Sequence, residues 1–232
     1  MTVQTEARPA PVRVARKPVW WRRPWVAPLA AIVGLFLAYS LPPYLTLDPA
    51  RARVPAPPGF AAHYWFLLAH ITFGTVAIVG VVLQIWPWLR RAHPVAHRRI
   101  GRIYVFGGAL PSAVMAAVIG AVSPFGPILG TLDVVGALLW FGFTVAGWRA
   151  VRQRRFADHR KWMVRSFAMT MNTLTTRALS PLCYLILMTR TPGKGVALIL
   201  DAATLSGALS LLTLLGLSQW WLERKPKPAI AR

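Results

Sequence analysis

The chain has 232 residues, of which 56% are apolar and 14% charged, with 11 tryptophans and a formal net charge of +21. Apolar runs long enough to cross a bilayer recur along it, which excludes an ordinary soluble domain. The basic residues sit in short blocks between those runs and form no aromatic-studded basic surface, which argues against a nucleic-acid partner.

Residues 1–24 read as a basic tail. The first apolar run, 25–42 ("WVAPLAAIVGLFLAYSLP"), is not closed by a small-x-small cleavage site, so an uncleaved span is expected rather than a signal peptide. The Pro-rich stretch 43–59 that follows is expected to be extended, with no chemistry of its own. A second span covers 61–85 and carries His63, His70 and Gln84. His63 and His70 are seven residues apart, roughly on one helical face. Gln84 is expected near the basic loop or the membrane interface.

That loop reads "LRRAHPVAHRRIGRIYVFGG" from residue 89. Pro94 makes a continuous helix from His93 to His97 doubtful. The third span, 101–121, is interrupted by Gly107, Gly108 and Pro111, breakers that neighbouring helices can accommodate. A Gly- and Pro-rich turn over 120–130 leads into the fourth span, 126–148, with Asp133 inside it. A second basic block, 149–165, contains "HRKWMVR" (His159 to Arg165). The fifth span, 163–188, carries Asn172, Thr173, Thr175, Thr176 and Arg177, which makes it the most polar of the six and the one expected to line the bundle interior. Its Cys183 is the only cysteine, so there is no disulfide framework and no CxxC motif; a buried thiol is expected. The sixth span, 196–221, carries Asp201, and 223–232 is a second basic tail.

The reading is therefore an all-α, polytopic transmembrane bundle, with a membrane domain over 25–222. Twenty-two of the 27 basic residues fall in four blocks: both tails, 90–102 and 149–165. With six spans these share one face, and the positive-inside rule puts that face and both termini in the cytoplasm. The other face holds Arg51, Arg53, Arg190 and Lys194. Nine tryptophans, among them Trp20, Trp21, Trp86, Trp88, Trp162 and Trp221, fall near the cytoplasmic span ends, as an interfacial belt requires.

Two groups of residues invite chemistry. The first is the pair of HR boxes, "HRRIGR" (His97 to Arg102) and "HRKWMVR", which open the third and fifth spans at one depth. His97 and His159 could ligate a b-type haem, with Arg98, Arg102, Arg160 and Arg165 pairing to its propionates. Alternatively the arginines hold the phosphates of anionic lipid headgroups and the histidines are structural. The second group is His70, Asp133, Arg177 and Asp201, all in the outer half of the membrane. There they form either a charge-neutral lock between helices or a site for protons or a polar substrate.

These residues carry a resemblance. The segments "LLAHITFGTVAIVGVVLQIWPWLRRAHPVAHRRIGRIYV" and "HRKWMVRSFAMTMNTLTTRALSP" resemble a bacterial membrane-protein family catalogued as domain of unknown function 2306, over about residues 61 to 190. The resemblance implies a multi-spanning inner-membrane protein. Its motif positions here are His70, Gly74, Gln84, Arg90, His93, His97, Arg98, Gly101, Arg102, Tyr104, His159, Arg160, Trp162, Arg165 and Arg177. It implies no particular activity.

Three function classes follow. A structural or accessory membrane protein, perhaps within a larger complex of membrane subunits, needs only the bundle and its lipid contacts. A redox protein needs the haem, with a quinone as one exchange partner. A proton-coupled transporter would use the outer-half cluster, although the six spans show no inverted repeat. Hydrolytic and phosphoryl-transfer signatures (Ser-His-Asp, HExxH, a Gly-rich phosphate loop) are missing from the sequence.

Overall fold

Proline and glycine set most of the helix boundaries, because proline lacks the N–H that a first turn does not need and glycine tolerates positive φ. In the computed structural model, which describes residues 25–190 and 195–224, α1 runs Val26–Ser40 and α2 is a short turn, Pro42–Leu45. α3 runs His63–Ile85, α4 Pro87–Ala92 and α5 Pro94–Tyr104. A π-helical turn, Val105–Ala109, joins α5 to α6, Leu110–Ala121. α7 is Pro127–Arg152, α8 Phe156–Arg190 and α9 Val196–Glu223. Pro87, Pro94 and Pro127 open their helices, while Gly126 and Gly195 precede α7 and α9 at positive φ. The expected break between His93 and His97 is real: His93 is the junction and α5 starts at Pro94. Expectations that fall on residues 1–24, 191–194 and 225–232, including both tails, Trp20, Trp21 and Lys194, lie outside the described residues.

Long helices follow one another up and down: α6 packs on α7, α7 on α8 and α8 on α9, while α3 packs on α5, α6 and α8 and carries α1 on its flank. Among the described residues, four helical units are long and apolar enough to cross a membrane: His63–Ile85, Pro94–Ala121, Pro127–Arg152 and Val196–Glu223. The other two expected spans differ from them. α1 is apolar but has only 15 residues, and α8 has 35 residues but begins in the second basic block.

The Pro94–Ala121 unit is where the sequence bends the rules. Pro111 has no N–H to close the α-helical bond to residue 107. The Leu110 N–H instead bonds the carbonyl of Val105, five residues back, and the turn widens. The wider turn brings Gly108 against α3. A Cβ built on Gly108 would lie 2.9 Å from both the Cα and the N of Ala77, so the two backbones touch. Gly80 faces Tyr104 and Gly74 faces Ser112 in the same way, at 3.3 Å. Such small-residue contacts replace the hydrophobic drive that helices lack in lipid.

Below this contact the bundle is tied by buried hydroxyls. Tyr104 Oη lies 2.6 Å from Ser166 Oγ and 3.0 Å from Thr170 Oγ1, and Thr144 Oγ1 lies 2.7 Å from Ser166 Oγ. Thr144 donates to the Trp140 carbonyl and Thr170 to the Ser166 carbonyl. These donations leave Ser166 to donate to Thr144 and Tyr104 to donate to Ser166, so every hydroxyl has a partner. Three helical units are joined by this knot, which is closed to solvent. Asn172 adds a link from α8 to α9, accepting at Oδ1 from Ser210 Oγ at 2.8 Å.

Replacing Gly108 with Ala forces a methyl onto the Ala77 backbone and should cost about 1–3 kcal/mol of stability. The check is a thermal melt of the purified variant in detergent, where an unchanged midpoint would refute the close contact. A second substitution should act in the opposite sense. Arg154, at φ 60° where α7 ends, holds a left-handed position that glycine adopts freely, while the Arg155 N–H closes the helix onto the Ala150 carbonyl at 2.9 Å. Arg154→Gly should therefore raise the midpoint by the equivalent of about 1 kcal/mol, and a lowered midpoint would contradict the assignment.

Candidate functional site

At the end of the bundle opposite the basic α4–α5 and α7–α8 junctions, α1, α3, α6, α7 and α8 line a partly open cavity of about 280 Å³, at which Asp133 and Arg177 are exposed. Much of its wall is apolar, with Phe36, Leu37, Ile71, Ile78, Ile119, Trp140 and Met169. His70, Asp133 and Arg177 interrupt that wall from α3, α7 and α8, together with Asn172, Thr173 and Ser112. Three of the four ionisable residues expected to gather in the outer half therefore line one cavity. Asp201, near the start of α9, is not on this wall.

Two of the three owe their position to a neighbour. His70 is anchored through Nδ1, which lies 3.0 Å from both the carbonyl and the Oγ of Ser112. A backbone carbonyl only accepts, so Nδ1 carries the proton and the neutral ring keeps Nε2 as an acceptor. Ser112 Oγ in turn donates to the His70 carbonyl at 3.0 Å. Asp133 is admitted by Gly120: a Cβ there would stand 3.0 Å from the Asp133 Cβ. Arg177 lies one and a half helical turns beyond Asn172 on α8, the helix expected to line the interior. Among the described residues no ion pair joins Asp133 to Arg177.

The proline-rich stretch 43–59 corrects an expectation. It contributes Tyr44, Arg53 and Val54 to the cavity wall. Asp48 caps a 3₁₀ turn, Pro49–Arg51, and accepts from the Ala50 N–H at 2.9 Å. That turn returns the chain so that Arg53 donates to the Tyr39 carbonyl at 2.8 Å and stacks 4.1 Å from the Tyr39 ring centre. Only the tertiary contact with α1 reveals this role. Ser112 was equally hidden, since a serine in an apolar run has no signature.

The HR boxes meet at the other end. His97, Arg90, Arg98 and His159 are close enough to interact electrostatically. Gln84 donates to the His97 carbonyl at 2.8 Å, as its place near the basic loop suggested. His159 Nδ1 lies 2.9 Å from the Gly147 carbonyl, which leaves its Nε2 as the free ring nitrogen. The four arginines named for propionates divide. Arg98 and Arg102 are exposed. Arg165 donates to Gln219 Oε1 at 2.6 Å and covers the Trp162 ring, and Arg160 stacks over Trp221, so both are engaged with neighbouring side chains of α8 and α9. Among the described residues no group of three or more His, Cys, Asp and Glu could hold a metal ion. Cys183 is buried, as expected of a lone thiol in a span.

Neither the curated proteins nor the solved structures contain a match to this chain. Residues 67–215, more than half of its length, match the family described as Predicted membrane protein (DUF2306). That stretch takes in most of α3 through most of α9, with His70, Asp133 and Arg177 of the cavity wall and both HR boxes. The protein belongs to this family of multi-pass membrane proteins, consistent with a place in the bacterial inner membrane.

Proposed function

We propose that this is a six-span inner-membrane protein with both termini in the cytoplasm, which binds a small polar solute in the His70–Asp133–Arg177 cavity. Two features support counting α1 and α8 as spans. α1 and α2 together cover residues 26–45, about 30 Å of helix at 1.5 Å per residue. α8 has ample length beyond its basic first turns to cross as well. The orientation rests on charge: the α4–α5 and α7–α8 junctions are rich in arginine, whereas Arg51, Arg53 and Arg190 are the described basic residues at the other end.

The observation that carries the binding site is the convergence of three ionisable side chains, from three spans, on one cavity. Such groups are costly in a membrane and mark solute or proton pathways when they face a cavity. Helix locking does not need them, because small-residue contacts and the buried hydroxyl knot already provide it. A guanidinium and a carboxylate on one wall without a direct pair call for polar matter between them, either water or solute. The volume corresponds to roughly nine water molecules at about 30 Å³ each. That suits a small solute bearing both hydrogen-bond donors and acceptors. The Nε2 of His70 accepts a hydrogen bond from it, Arg177 receives its negative end, and Asp133 receives a donor. The apolar wall orients the rest.

The test has two arms. Thermal stabilisation of the purified protein by a panel of small carboxylates, amino acids and hydroxylated ring compounds identifies a ligand. Asp133→Asn and Arg177→Ala should each weaken that ligand by about tenfold or more, the equivalent of one charge-assisted hydrogen bond. In proteoliposomes with an internal pH dye, any proton or solute movement shown by wild type should fall by a similar factor. Variants that bind and transport as wild type does would end the proposal.

A further inference from the structure

We infer that the paired HR boxes form a binding site for the phosphate of an anionic phospholipid headgroup. The site is built from two elements that sequence separates by about sixty residues. Arg90, at the end of α4, and Arg98 and His159 all lie within electrostatic range of His97. These neighbours give the group a positive charge that an anion would offset. No acid supplies it: at this end of the bundle, among the described residues, Asp158 pairs with Arg155 and Lys161, and Glu223 accepts from Gln219. His97 Nδ1 is shielded from solvent and has no hydrogen-bond partner among the described residues. His159 has its Nδ1 committed to the Gly147 carbonyl, so its Nε2 is the nitrogen left for a ligand. Two imidazoles and two guanidiniums offer a phosphodiester several charge-assisted hydrogen bonds, with the guanidinium forks suited to its paired oxygens.

The surroundings favour a lipid over a free phosphate. Trp86 and Trp88 stack with ring centres 4.9 Å apart, and His93 meets Trp88 at 4.5 Å, directly beside the arginines. Such an aromatic ladder sits at headgroup level. α5 rises from this level into the bundle, so its basic first turns meet lipid phosphates rather than bulk water. The inference does not depend on the cavity, so its test reads separately from that one.

The protein, purified in neutral detergent, is melted in nanodiscs of phosphatidylcholine and of phosphatidylcholine with phosphatidylglycerol. The anionic lipid should raise the midpoint of wild type. Arg90→Gln/Arg98→Gln should weaken phosphatidylglycerol by about fivefold per arginine removed. Arg152→Gln/Arg154→Gln, which removes equal charge from exposed positions outside this group, should retain wild-type affinity. Equal loss in both double variants, or no preference for phosphatidylglycerol, overturns the site. Inorganic phosphate at millimolar concentration that reproduces the whole stabilisation assigns the site to a soluble anion and overturns the lipid. Native mass spectrometry of wild type, which needs no variant to fold, should show phosphatidylglycerol retained at collision energies that strip phosphatidylcholine; its absence overturns the proposal too. A Soret band in the purified protein that is lost in His97→Ala would show these histidines holding a haem instead, and overturn the phosphate assignment.

Discussion

The backbones of α3 and the Pro94–Ala121 unit meet at Ala77 and Gly108 with no side chain between them, and the rest of the bundle is arranged around that contact. It exists because Pro111 denies its helix one hydrogen bond and the turn before it opens to a π turn. An α-helix uninterrupted from Pro94 to Ala121 would carry every later residue on a different bearing. The wide turn instead directs Ser112 at His70 and leaves Tyr104, four residues before Gly108, pointing into the hydroxyl knot. One constraint thus sets a cavity wall and the bundle's polar tie together.

The knot and the cavity solve opposite problems. In the knot, Tyr104, Ser166, Thr144 and Thr170 can all be satisfied by one another and by helix carbonyls, so the cluster needs no outside partner. Hydrogen bonds of this kind between membrane helices contribute only about 0.6 kcal/mol each on average. Their value lies in registering three helical units. The cavity is open-ended in the chemical sense: His70 keeps one ring nitrogen free, and Asp133 and Arg177 share a wall without pairing. Polar groups left uncommitted in a low-dielectric bundle carry a cost that structural necessity does not explain. This contrast separates the residues that hold the helices from those available to a ligand.

Polarity is also divided along the membrane normal. His97 and His159, with their arginines, stand at one end, and His70 with Asp133 and Arg177 stands toward the other. The hydroxyl knot lies between them, and Thr170 belongs both to it and to the cavity wall. The two sites are therefore separate in chemistry: an arginine-rich surface suited to phosphates, and a partly open cavity with charges of both signs.

Much of this was legible in the residues themselves. Hydropathy alone marked the apolar helices, proline and glycine marked most of their ends, and the charge blocks marked which ends belong together. The cost of burying ionisable groups was enough to single out His70, Asp133 and Arg177, and the polarity of the fifth span put Asn172 and Arg177 on an inward-facing helix. Asp201 met the same criteria yet stands apart from the cavity, because depth in the membrane is readable from chain position while rotation about the helix axis is not. The roles of Arg53, Ser112, Tyr104 and Ser166 stayed hidden for the same reason, since each depends on which helix lies opposite. Composition and spacing thus determined that the chain is a helical membrane protein with two polar zones. Which side chains meet in those zones was decided by a close backbone contact and a widened turn, through angles that no pattern of residue types records.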